Sequence, residues 1–429
     1  MVRPINMVAQ QVKLLEQITS GRNMALLLGS DKQLYNYANG VWRPNGEKEI
    51  SVRLSEVLGE LATIDVDRAV RALAYLGYPD IEVDQIDHAK DQFINVANGV
   101  VDLAPDAGPI LRPHDPELRL LHQVPHDYDP RAASSTLDDY MSSMFTDGEA
   151  AFLYEVMGYC LMPNMNLKRA FLLYSQRPHT GKSTFLRLLE DLVGRENASA
   201  VDLQALDDDR FQSAHLQGKL INVCGDLTGR AATTSARFKA LVGGDAISVE
   251  RKGVQSYRIV NTAKMIFASN EYPATTDQTS AYFDRWWVIP FTKQHSTDSQ
   301  YEARLRTREV REALLRRAAE AAHHLFHTKE FIPPISVLDA TDRYADEANT
   351  VRRFVREMCF RNPGNQLVAT QLYTKYKAWA EDNGHRALAR PKFEARMADQ
   401  EGVTVARDAG RLVFEGLGAG LDQRNGVSW

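Results

Sequence analysis

A lysine and a hydroxyl residue follow a short apolar segment near the middle of the sequence. The segment 170–174 has the pattern of a buried strand, Gly181, Lys182 and Ser183 come soon after it, and a helical pattern begins at Phe185. A strand, a loop with Gly-Lys-Ser and a helix are the setting of a phosphate-binding loop (P-loop), in which backbone N–H groups and the helix N-terminus cradle phosphate. Lys182 would reach the β- and γ-phosphates of a nucleotide, and the Ser183 hydroxyl would ligate Mg²⁺.

The loop departs from the usual pattern because Gln176 stands where the first glycine is commonly found. Gly-Lys-Ser also occurs by chance in other loops, so the assignment depends on the strand before it and the helix after it. On that basis we predict that ATP and Mg²⁺ are the cofactors. The predicted nucleotide-binding residues are Gln176, Arg177, Pro178, His179, Thr180, Gly181, Lys182, Ser183 and Thr184.

Two further polar residues follow apolar segments that have strand patterns. Asp226 comes shortly after 220–224, and Asn270 directly follows 264–269. A P-loop needs an acid at the end of a neighbouring strand to hold Mg²⁺ and orient the attacking water. We predict that Asp226 is this acid and that Asn270 senses the γ-phosphate; the alternative is that both are ordinary turn residues. The acidic run 207–209 is typical of a solvated loop.

Composition limits the class of protein. The chain has 429 residues, 44% apolar and 25% charged, with a net charge of −5, so it is globular and any nucleic-acid contact must be a local basic patch. Its cysteines, Cys160, Cys224 and Cys359, are scattered, which indicates reduced thiols. No apolar run approaches the ~20 residues of a membrane helix, and no signal peptide is evident. We therefore expect a cytoplasmic protein without a membrane partner.

The pattern of elements divides the chain into three regions and predicts an α/β fold. Residues 1–130 form a mixed α+β region, with a helix over 7–18 and strand pairs that turn at 39–40 and 98–99. Residues 131–330 alternate strands and helices as a central parallel sheet does. Their helices are predicted over 135–145, 148–161 and 299–327. Residues 341–429 have the outline of a winged helix: three helices, including 370–382 and 390–400, and a hairpin over 403–415.

A block of motifs follows the predicted Mg²⁺ acid. Phe-Lys-Ala-Leu-Val-Gly-Gly-Asp occupies 238–245, a basic segment and the strand that ends at Asn270 come next, and Arg285 precedes Val-Ile-Pro-Phe at 288–291. In this order the motifs resemble those of the superfamily 3 helicases, specifically the phage and plasmid primase-helicase proteins. The resemblance extends more weakly to both ends, through 95–102 and through 372–379. It implies a P-loop motor of the AAA+ type, preceded by that family's α+β domain and followed by its winged helix.

The resemblance also implies roles for single residues. Lys182 and Ser183 match the phosphate and Mg²⁺ ligands, and Asn270 matches the sensor asparagine. Asp226 matches the acidic position, where these phage proteins commonly have glutamate. Arg285 matches the arginine finger that completes a neighbouring subunit's ATP site. Lys182, Asp226, Asn270 and Arg285 are thus the predicted catalytic residues.

The family forms hexameric rings that move along single-stranded DNA with three-prime to five-prime polarity. Asp284 stands where relatives often have a second arginine before the Val-Ile-Pro-Phe motif. A finger supplied by the next subunit makes hydrolysis depend on assembly, and a head-to-tail contact that closes gives a cyclic oligomer. We therefore expect a homo-oligomer, with a hexameric ring as the implied form.

Basic residues at two places are candidates for DNA contact. The segment 247–258 alternates as a hairpin does, with Arg251 and Lys252 at its tip, which in the family grips the DNA backbone. The helix over 390–400 carries Arg390, Lys392 and Arg396, where a winged helix has its recognition helix. The alternative for the hairpin is a solvated turn, and for the helix a protein-docking role.

Together with these residues, the resemblance implies an ATP-dependent helicase that translocates on single-stranded DNA and unwinds forked duplex during phage, plasmid or mobile-element replication. The alternative is an initiator or loader without processive unwinding, which a forked DNA substrate would distinguish. A small-molecule kinase would not explain the basic hairpin or Arg285. The first region lacks the paired carboxylates with a histidine, or the zinc knuckle, of a primase, so a separate primase or polymerase is an expected partner. His323 and His327 could form a metal pair, but no third ligand is apparent.

Overall fold

The computed structural model describes most of the chain. It covers residues 26–29, 33–49, 52, 80–81, 92–208, 210–225, 227, 235–251, 254–275, 277, 279–294, 299–385, 387–400 and 402–420. The predicted helix over 7–18 lies outside these residues, and so do the predicted site residues Asp226 and Lys252. At Arg251 the backbone is described but the side chain is not. None of the helices in the described ranges has the length and apolar character needed to cross a bilayer.

Antiparallel strand pairs make up much of the described part of the first region. The strands are β1 (Leu26–Gly29), β2 (Leu34–Ala38), β3 (Val41–Arg43), β4 (Asp80–Ile81), β5 (Phe93–Val96), β6 (Gly99–Asp102) and β7 (Ile110–Arg112). Both predicted strand pairs are confirmed, because β2 pairs with β3 and β5 with β6. At the first turn Asn39 and Gly40 have φ values of 52° and 85°, the left-handed values that a two-residue hairpin turn requires.

A parallel sheet forms the centre of the middle region, as predicted. Within the described residues its strands, in spatial order, are β14 (Trp286–Pro290), β8 (Ala170–Tyr174), β13 (Lys264–Ser269), β10 (Ile221–Cys224) and β9 (Ala198–Ser199). Phe171 and Leu173 of β8 face one hydrophobic core, and Ala170 and Leu172 face another. Because both faces of the sheet are buried, its strands are continuous apolar runs.

Helices cover both faces of this sheet. They are α1 (Ser135–Met144), α2 (Asp147–Leu161), α3 (Lys182–Val193), α4 (Leu203–Asp208), α5 (Arg210–Ser213), α6 (Ala236–Gly243), α7 (Ser280–Phe283), α8 (Ser299–Leu305) and α9 (Arg308–Thr328). Phe185 of α3 packs in the first core, and Phe238 of α6 packs in the second. The predicted helices over 135–145 and 148–161 are confirmed as α1 and α2.

The single long helix predicted over 299–327 is wrong, because the chain leaves the helical conformation between α8 and α9. Thr307 is extended, with φ −73° and ψ 160°, and its Oγ1 accepts the Val310 N–H at 3.4 Å. A threonine that caps the N-terminus of a helix stabilises a helix start at that point. The apolar periodicity continues on both sides of Thr307, so periodicity alone concealed the break.

The two histidines of α9 join it to the segment that follows β6. His323 Nε2 lies 2.8 Å from the Pro105 carbonyl oxygen, and His327 Nε2 lies 3.0 Å from that of Leu103. In the described part of the chain, no group of histidines, cysteines and carboxylates is arranged to hold a metal ion. These histidines therefore connect the first region to the second.

The predicted basic hairpin is confirmed as β11 (Ala246–Arg251) and β12 (Val254–Val260). The two strands are antiparallel, from Ala246 opposite Val260 to Arg251 opposite Val254, with an irregularity between Val249 and Arg251. The residues at its tip, 252–253, lie outside the described residues.

The third region contains a strand that the sequence analysis missed. Its elements are α10 (Ile335–Ala348), α11 (Thr350–Met358), β15 (Cys359–Val368), α12 (Ala369–Asp382), α13 (Arg390–Ala398), β16 (Thr404–Asp408) and β17 (Arg411–Ala419). The predicted hairpin is β16–β17, and β15 pairs on the other side of β17. Pro363 and Gly364 interrupt β15 where its register shifts, and such residues argue against a strand when only the sequence is known.

The predicted start of the third region, at 341, falls inside α10. Thr341 Oγ1 accepts the Val288 N–H of β14 at 3.0 Å, and Tyr344 packs in the core of the sheet with Trp286. A separate C-terminal core includes Val351 of α11 and residues of the elements that follow it. The helix α10 therefore packs with the sheet rather than with the C-terminal core.

Candidate functional site

The turn at Gly181 lies where the chain passes from β8 into α3. Gly181 has a φ of +84° and is the N-cap of α3. The left-handed backbone favours glycine here, and a β-carbon would also lie 2.9 Å from Met144 Cε of α1, which would have to shift. The first N–H groups of α3 consequently lie at the carboxyl edge of the sheet, where a helix N-terminus can bind an anion.

The Lys182 ammonium joins the ends of two strands. Its Nζ donates to Ser175 Oγ at 2.5 Å and to Asn270 Oδ1 at 2.6 Å, and Thr180 Oγ1 donates to Ser175 Oγ at 2.8 Å. Thr180 and Lys182, predicted from one motif, are therefore brought together with Asn270, predicted from another. Ser175, which connects them, was missed, although its position as the first residue after β8 is a signal that could have found it.

The order of strands in the sheet explains this meeting of side chains. β8 and β13 are parallel neighbours, and the Ser175 N–H donates to the Ser269 carbonyl at 3.3 Å. β10 pairs with the other side of β13, and Leu227, which follows β10, donates its N–H to the Ala268 carbonyl at 3.2 Å. The chain just after Asp226 thus reaches the same edge, while Asp226 itself lies outside the described residues.

A stack of tyrosines supports this edge of the sheet. The rings of Tyr174 and Tyr272 are stacked with centroids 4.2 Å apart, and Tyr272 and Tyr344 are 5.1 Å apart. The Tyr344 hydroxyl donates to the Pro273 carbonyl at 3.0 Å. Burial raises the pKa of Tyr272, and the neighbouring Tyr174 adds to the effect, so Tyr272 is uncharged at neutral pH. The stack links the ends of β8 and β13 to α10.

A carboxylate of α8 holds the first turns of α3. Glu302 accepts hydrogen bonds from Thr184 Oγ1 at 3.2 Å and from Arg187 at 2.8 Å. The Thr184 hydroxyl is therefore bonded within the protein, whereas Ser183, next to Lys182, is exposed. The remaining predicted loop residues are also exposed: Gln176, Arg177, Pro178 and His179. Glu302 was missed because it is distant in sequence.

Arg285 lies at the amino-terminal ends of the strands, on the side of the sheet opposite the carboxyl edge that carries Lys182. It directly precedes β14, and its carbonyl accepts the Ala170 N–H at the start of β8 at 2.6 Å. β8 is five residues long, so at about 3.3 Å per residue this edge is roughly 16 Å from the turn that follows β8. Arg285 Nε donates to the Lys239 carbonyl at 3.2 Å, and the guanidinium also donates to the Ala281 carbonyl. Within one chain, Arg285 is not brought to Lys182.

The basic residues of α13 belong to the third region. Arg390 Nε donates to Glu394 at 2.7 Å, and Arg396 lies 3.8 Å from Asp399; Lys392 is exposed. The helix packs in the C-terminal core through Phe393. Such local ion pairs are typical of a solvated helix face, and DNA binding by α13 stays a prediction.

Three segments of the chain match known protein families. Residues 23–146 match the family described as D5 N terminal like, residues 173–285 match a family of unknown function (DUF5906), and residues 346–401 match the family described as poxvirus D5 protein-like. "Putative helicase 022R" of Frog virus 3 (isolate Goorha) is 26% identical over 174 residues. That match spans 36% of this chain and only 18% of the relative.

The fold resembles solved structures over nearly the whole chain. The apo structure of NrS-1 C terminal region (305–718) has a TM-score of 0.52 at 12% identity, covering 95% of this chain and all of that one. The A form of the same apo region has a TM-score of 0.52 at 10% identity, with the same coverage. At these identities the likeness shows the fold.

The fold and these relatives define the class of protein. It is an α/β protein with a parallel sheet covered by helices, and its structural neighbours share that arrangement. The resemblance found in the sequence is confirmed by the D5-type matches at both ends of the chain together with the viral relative. The chain therefore resembles the phage primase-helicase proteins in these segments.

Proposed function

We propose that this chain is the subunit of an ATP-driven helicase, which translocates on single-stranded DNA and unwinds duplex during phage, plasmid or mobile-element replication. The observation that carries the proposal is the meeting of Lys182, Ser175 and Asn270 at the carboxyl edge of a parallel sheet. That edge is where α/β proteins bind nucleotides. The family and its viral relative supply the replication context.

In this proposal the P-loop binds the phosphates of ATP. Lys182 neutralises the β- and γ-phosphates, the N–H groups at the start of α3 donate to them, and Asn270 orients the attacking water. Water attacks the γ-phosphorus, the bond to the β–γ bridging oxygen breaks, and ADP and phosphate leave. Oxygen ligands suit Mg²⁺, so the Ser183 hydroxyl and the Asp226 carboxylate are the residues that would hold it, where it offsets phosphate charge.

Hydrolysis in this proposal needs a second subunit. The backbone of Arg285 is about one strand length, roughly 16 Å, from the loop, and its guanidinium is bonded to the Lys239 and Ala281 carbonyls. It therefore does not reach the nucleotide of its own chain, but a head-to-tail neighbour can present it. Arg285 would then stabilise the charge of the transition state in the adjoining site. Repeated around a closed assembly, the contact gives a ring, and the family implies a hexamer.

DNA contact in this proposal uses two surfaces. The tip of β11–β12, with Arg251 and Lys252, would grip the single strand in the ring channel. The helix α13, with Arg390, Lys392 and Arg396, would bind duplex as part of a C-terminal winged helix. The proposed division of the chain is an N-terminal domain over 1–130, an AAA+ motor over 131–330 and a C-terminal winged helix. The sequence puts the start of the winged helix at 341, but α10 packs with the sheet, so we propose that it begins at α11. A separate primase or polymerase is the proposed replication partner.

The proposal is tested by hydrolysis and strand displacement on a forked DNA. Wild-type protein should hydrolyse ATP faster when single-stranded DNA is added, and should separate the fork only with ATP. Lys182→Ala should abolish both activities, because the loop loses its phosphate ligand. Lys377→Ala is the matched control, since Lys377 is an exposed lysine of α12 that pairs with Glu381, and it should retain both. Wild-type protein that hydrolyses ATP without separating strands would refute the helicase assignment.

A further inference from the structure

A largely buried carboxylate lies in the segment between β13 and β14. The Asp277 side chain is 12% exposed, and Lys239 Nζ donates to its Oδ2 at 2.8 Å. The Ser235 hydroxyl donates to the same oxygen, while Oδ1 accepts the Thr279 N–H at 2.9 Å and hydroxyl at 2.6 Å. Burial by itself would raise the pKa of Asp277, but the hydrogen bonds from Lys239, Ser235 and Thr279 outweigh it and hold the pKa well below its ordinary value. The group is therefore an anion at neutral pH.

The partners of Asp277 lie on two helices that also bind Arg285. Lys239 is in the first turns of α6, and Thr279 is the N-cap of α7. The Arg285 guanidinium donates to the Lys239 carbonyl at 3.2 Å and to the Ala281 carbonyl of α7. Lys239 thus donates from its ammonium to Asp277 and accepts from Arg285 at its carbonyl oxygen. One carboxylate consequently fixes both helices whose carbonyls orient this arginine.

We propose that Asp277 is a positioning residue, which holds α6 and α7 in the arrangement that presents Arg285 to the neighbouring subunit. The inference rests on the proposed function, because it requires that Arg285 act on the ATP of an adjoining chain. Asp277 touches no nucleotide in this role and acts through Lys239 and the two helices. A displacement of about 1 Å in a group that stabilises a transition state can lower the rate by about 10²-fold.

The experiment uses full-length Asp277→Ala and Lys239→Gln, with Asp191→Ala as the matched control. Asp191 is 13% exposed and pairs with Arg306 at 2.7 Å, so it resembles Asp277 in burial and pairing. It belongs to α3, which packs in the first core, whereas α6 and α7 pack in the second. The variants are assayed for DNA-stimulated kcat, KM for ATP and melting temperature. Each is then mixed with Lys182→Ala subunits, which lack a working P-loop but carry an intact Arg285.

Asp277→Ala should lower kcat by about 10²-fold with KM for ATP unchanged, because its own P-loop is intact. Lys239→Gln should lower kcat in the same direction, since the ion pair is lost. Added Lys182→Ala subunits should restore part of the turnover. They present a correctly positioned Arg285 to the intact P-loop of a neighbouring Asp277→Ala or Lys239→Gln subunit. Asp191→Ala should lower the melting temperature but leave kcat at the wild-type value.

A wild-type kcat for Asp277→Ala, or a loss that Lys182→Ala subunits do not restore, would overturn the inference. If Asp277→Ala fails to fold, Lys239→Gln replaces it in the test, because the Lys239 side chain is partly exposed and its substitution disturbs the core less. A wild-type kcat for Lys239→Gln, or a loss that Lys182→Ala subunits do not restore, would then overturn the inference. Wild-type protein without DNA-stimulated hydrolysis would instead overturn the proposed function, and this inference with it. Active wild-type protein with unaffected Asp277 and Lys239 variants would overturn the positioning role alone.

Discussion

Lys182 Nζ and Asn270 Oδ1 are 2.6 Å apart, although the two residues follow different strands of the sheet. The proposed phosphate-binding lysine and the proposed sensor are therefore already in contact in the protein. We predict that Asn270→Ala binds ATP as the wild type does but lowers kcat by about 10²-fold, since it removes one polar group from the transition state. Equilibrium ATP binding and single-turnover hydrolysis measure the two effects.

Asn383→Ala is the control for this substitution, because Asn383 ends α12 and donates only to the Trp379 carbonyl of the same helix among its described contacts. Asn383→Ala should leave both the ATP affinity and the single-turnover rate of hydrolysis unchanged. A normal single-turnover rate for Asn270→Ala would show that Asn270 is an ordinary turn residue.

The left-handed conformation of Gly181 gives a second prediction. Gly181→Ala should weaken ATP binding, because alanine costs about 1–2 kcal/mol in this conformation and its β-carbon would lie 2.9 Å from Met144 Cε. Gly384→Ala is the matched control: its φ is +73°, and a β-carbon there would meet nothing within 4 Å. Both variants should melt at a lower temperature than the wild type, but only Gly181→Ala should raise the Kd for ATP. Unchanged ATP affinity in Gly181→Ala would contradict a nucleotide-binding role for the turn.

The N-terminus of α2 gives a prediction on pH. Burial alone would raise the pKa of Glu149, but hydrogen bonds from the Thr146 N–H (3.0 Å) and the Ser336 hydroxyl (2.7 Å) outweigh it and lower the pKa below its ordinary value of 4.5. The stability that this carboxylate contributes is therefore complete above pH 4.5 and is lost as the pH falls through the lower value in the folded protein.

Glu149→Gln should accordingly lower the free energy of unfolding by about 0.3–1 kcal/mol at neutral pH, as the loss of a negative charge in the first turn of a helix does. The difference from the wild type should shrink as the pH falls from about 6 to about 3, because both proteins then have an uncharged group at this position. Melting temperatures of both proteins across this range measure the effect. A difference that stays constant with pH would mean that the charge of Glu149 has no part in the cap.

The parts of the fold that local chemistry determines could be predicted from the sequence. Asn39 and Gly40 specify a two-residue turn, and the apolar run before Gly181 specifies a buried strand that a turn connects to a helix. The residues that were missed depend on contacts between distant segments. Glu302 holds the first turns of α3 from another helix, and no spacing in the sequence connects it to Thr184.

Competing local signals explain the other errors. Thr307 caps a new helix within an unbroken apolar periodicity, so the pattern predicted one helix where the hydroxyl starts a second. Pro363 and Gly364 concealed β15, because the pairing with β17 that tolerates them is not visible in the sequence. The helicase activity, the cofactors and the roles of Asp226 and Lys252 remain predictions.

The most direct test of the central claim mixes two inactive variants. Arg285→Ala subunits keep the P-loop and lack the finger, while Lys182→Ala subunits keep the finger and lack the P-loop. Each variant alone should show no DNA-stimulated ATP hydrolysis, and their mixture should recover part of the wild-type rate, because some interfaces then combine an intact Lys182 with an intact Arg285. A mixture as inactive as its components, or Arg285→Ala alone hydrolysing ATP at the wild-type rate as an assembled oligomer, would contradict a site completed by the neighbouring subunit.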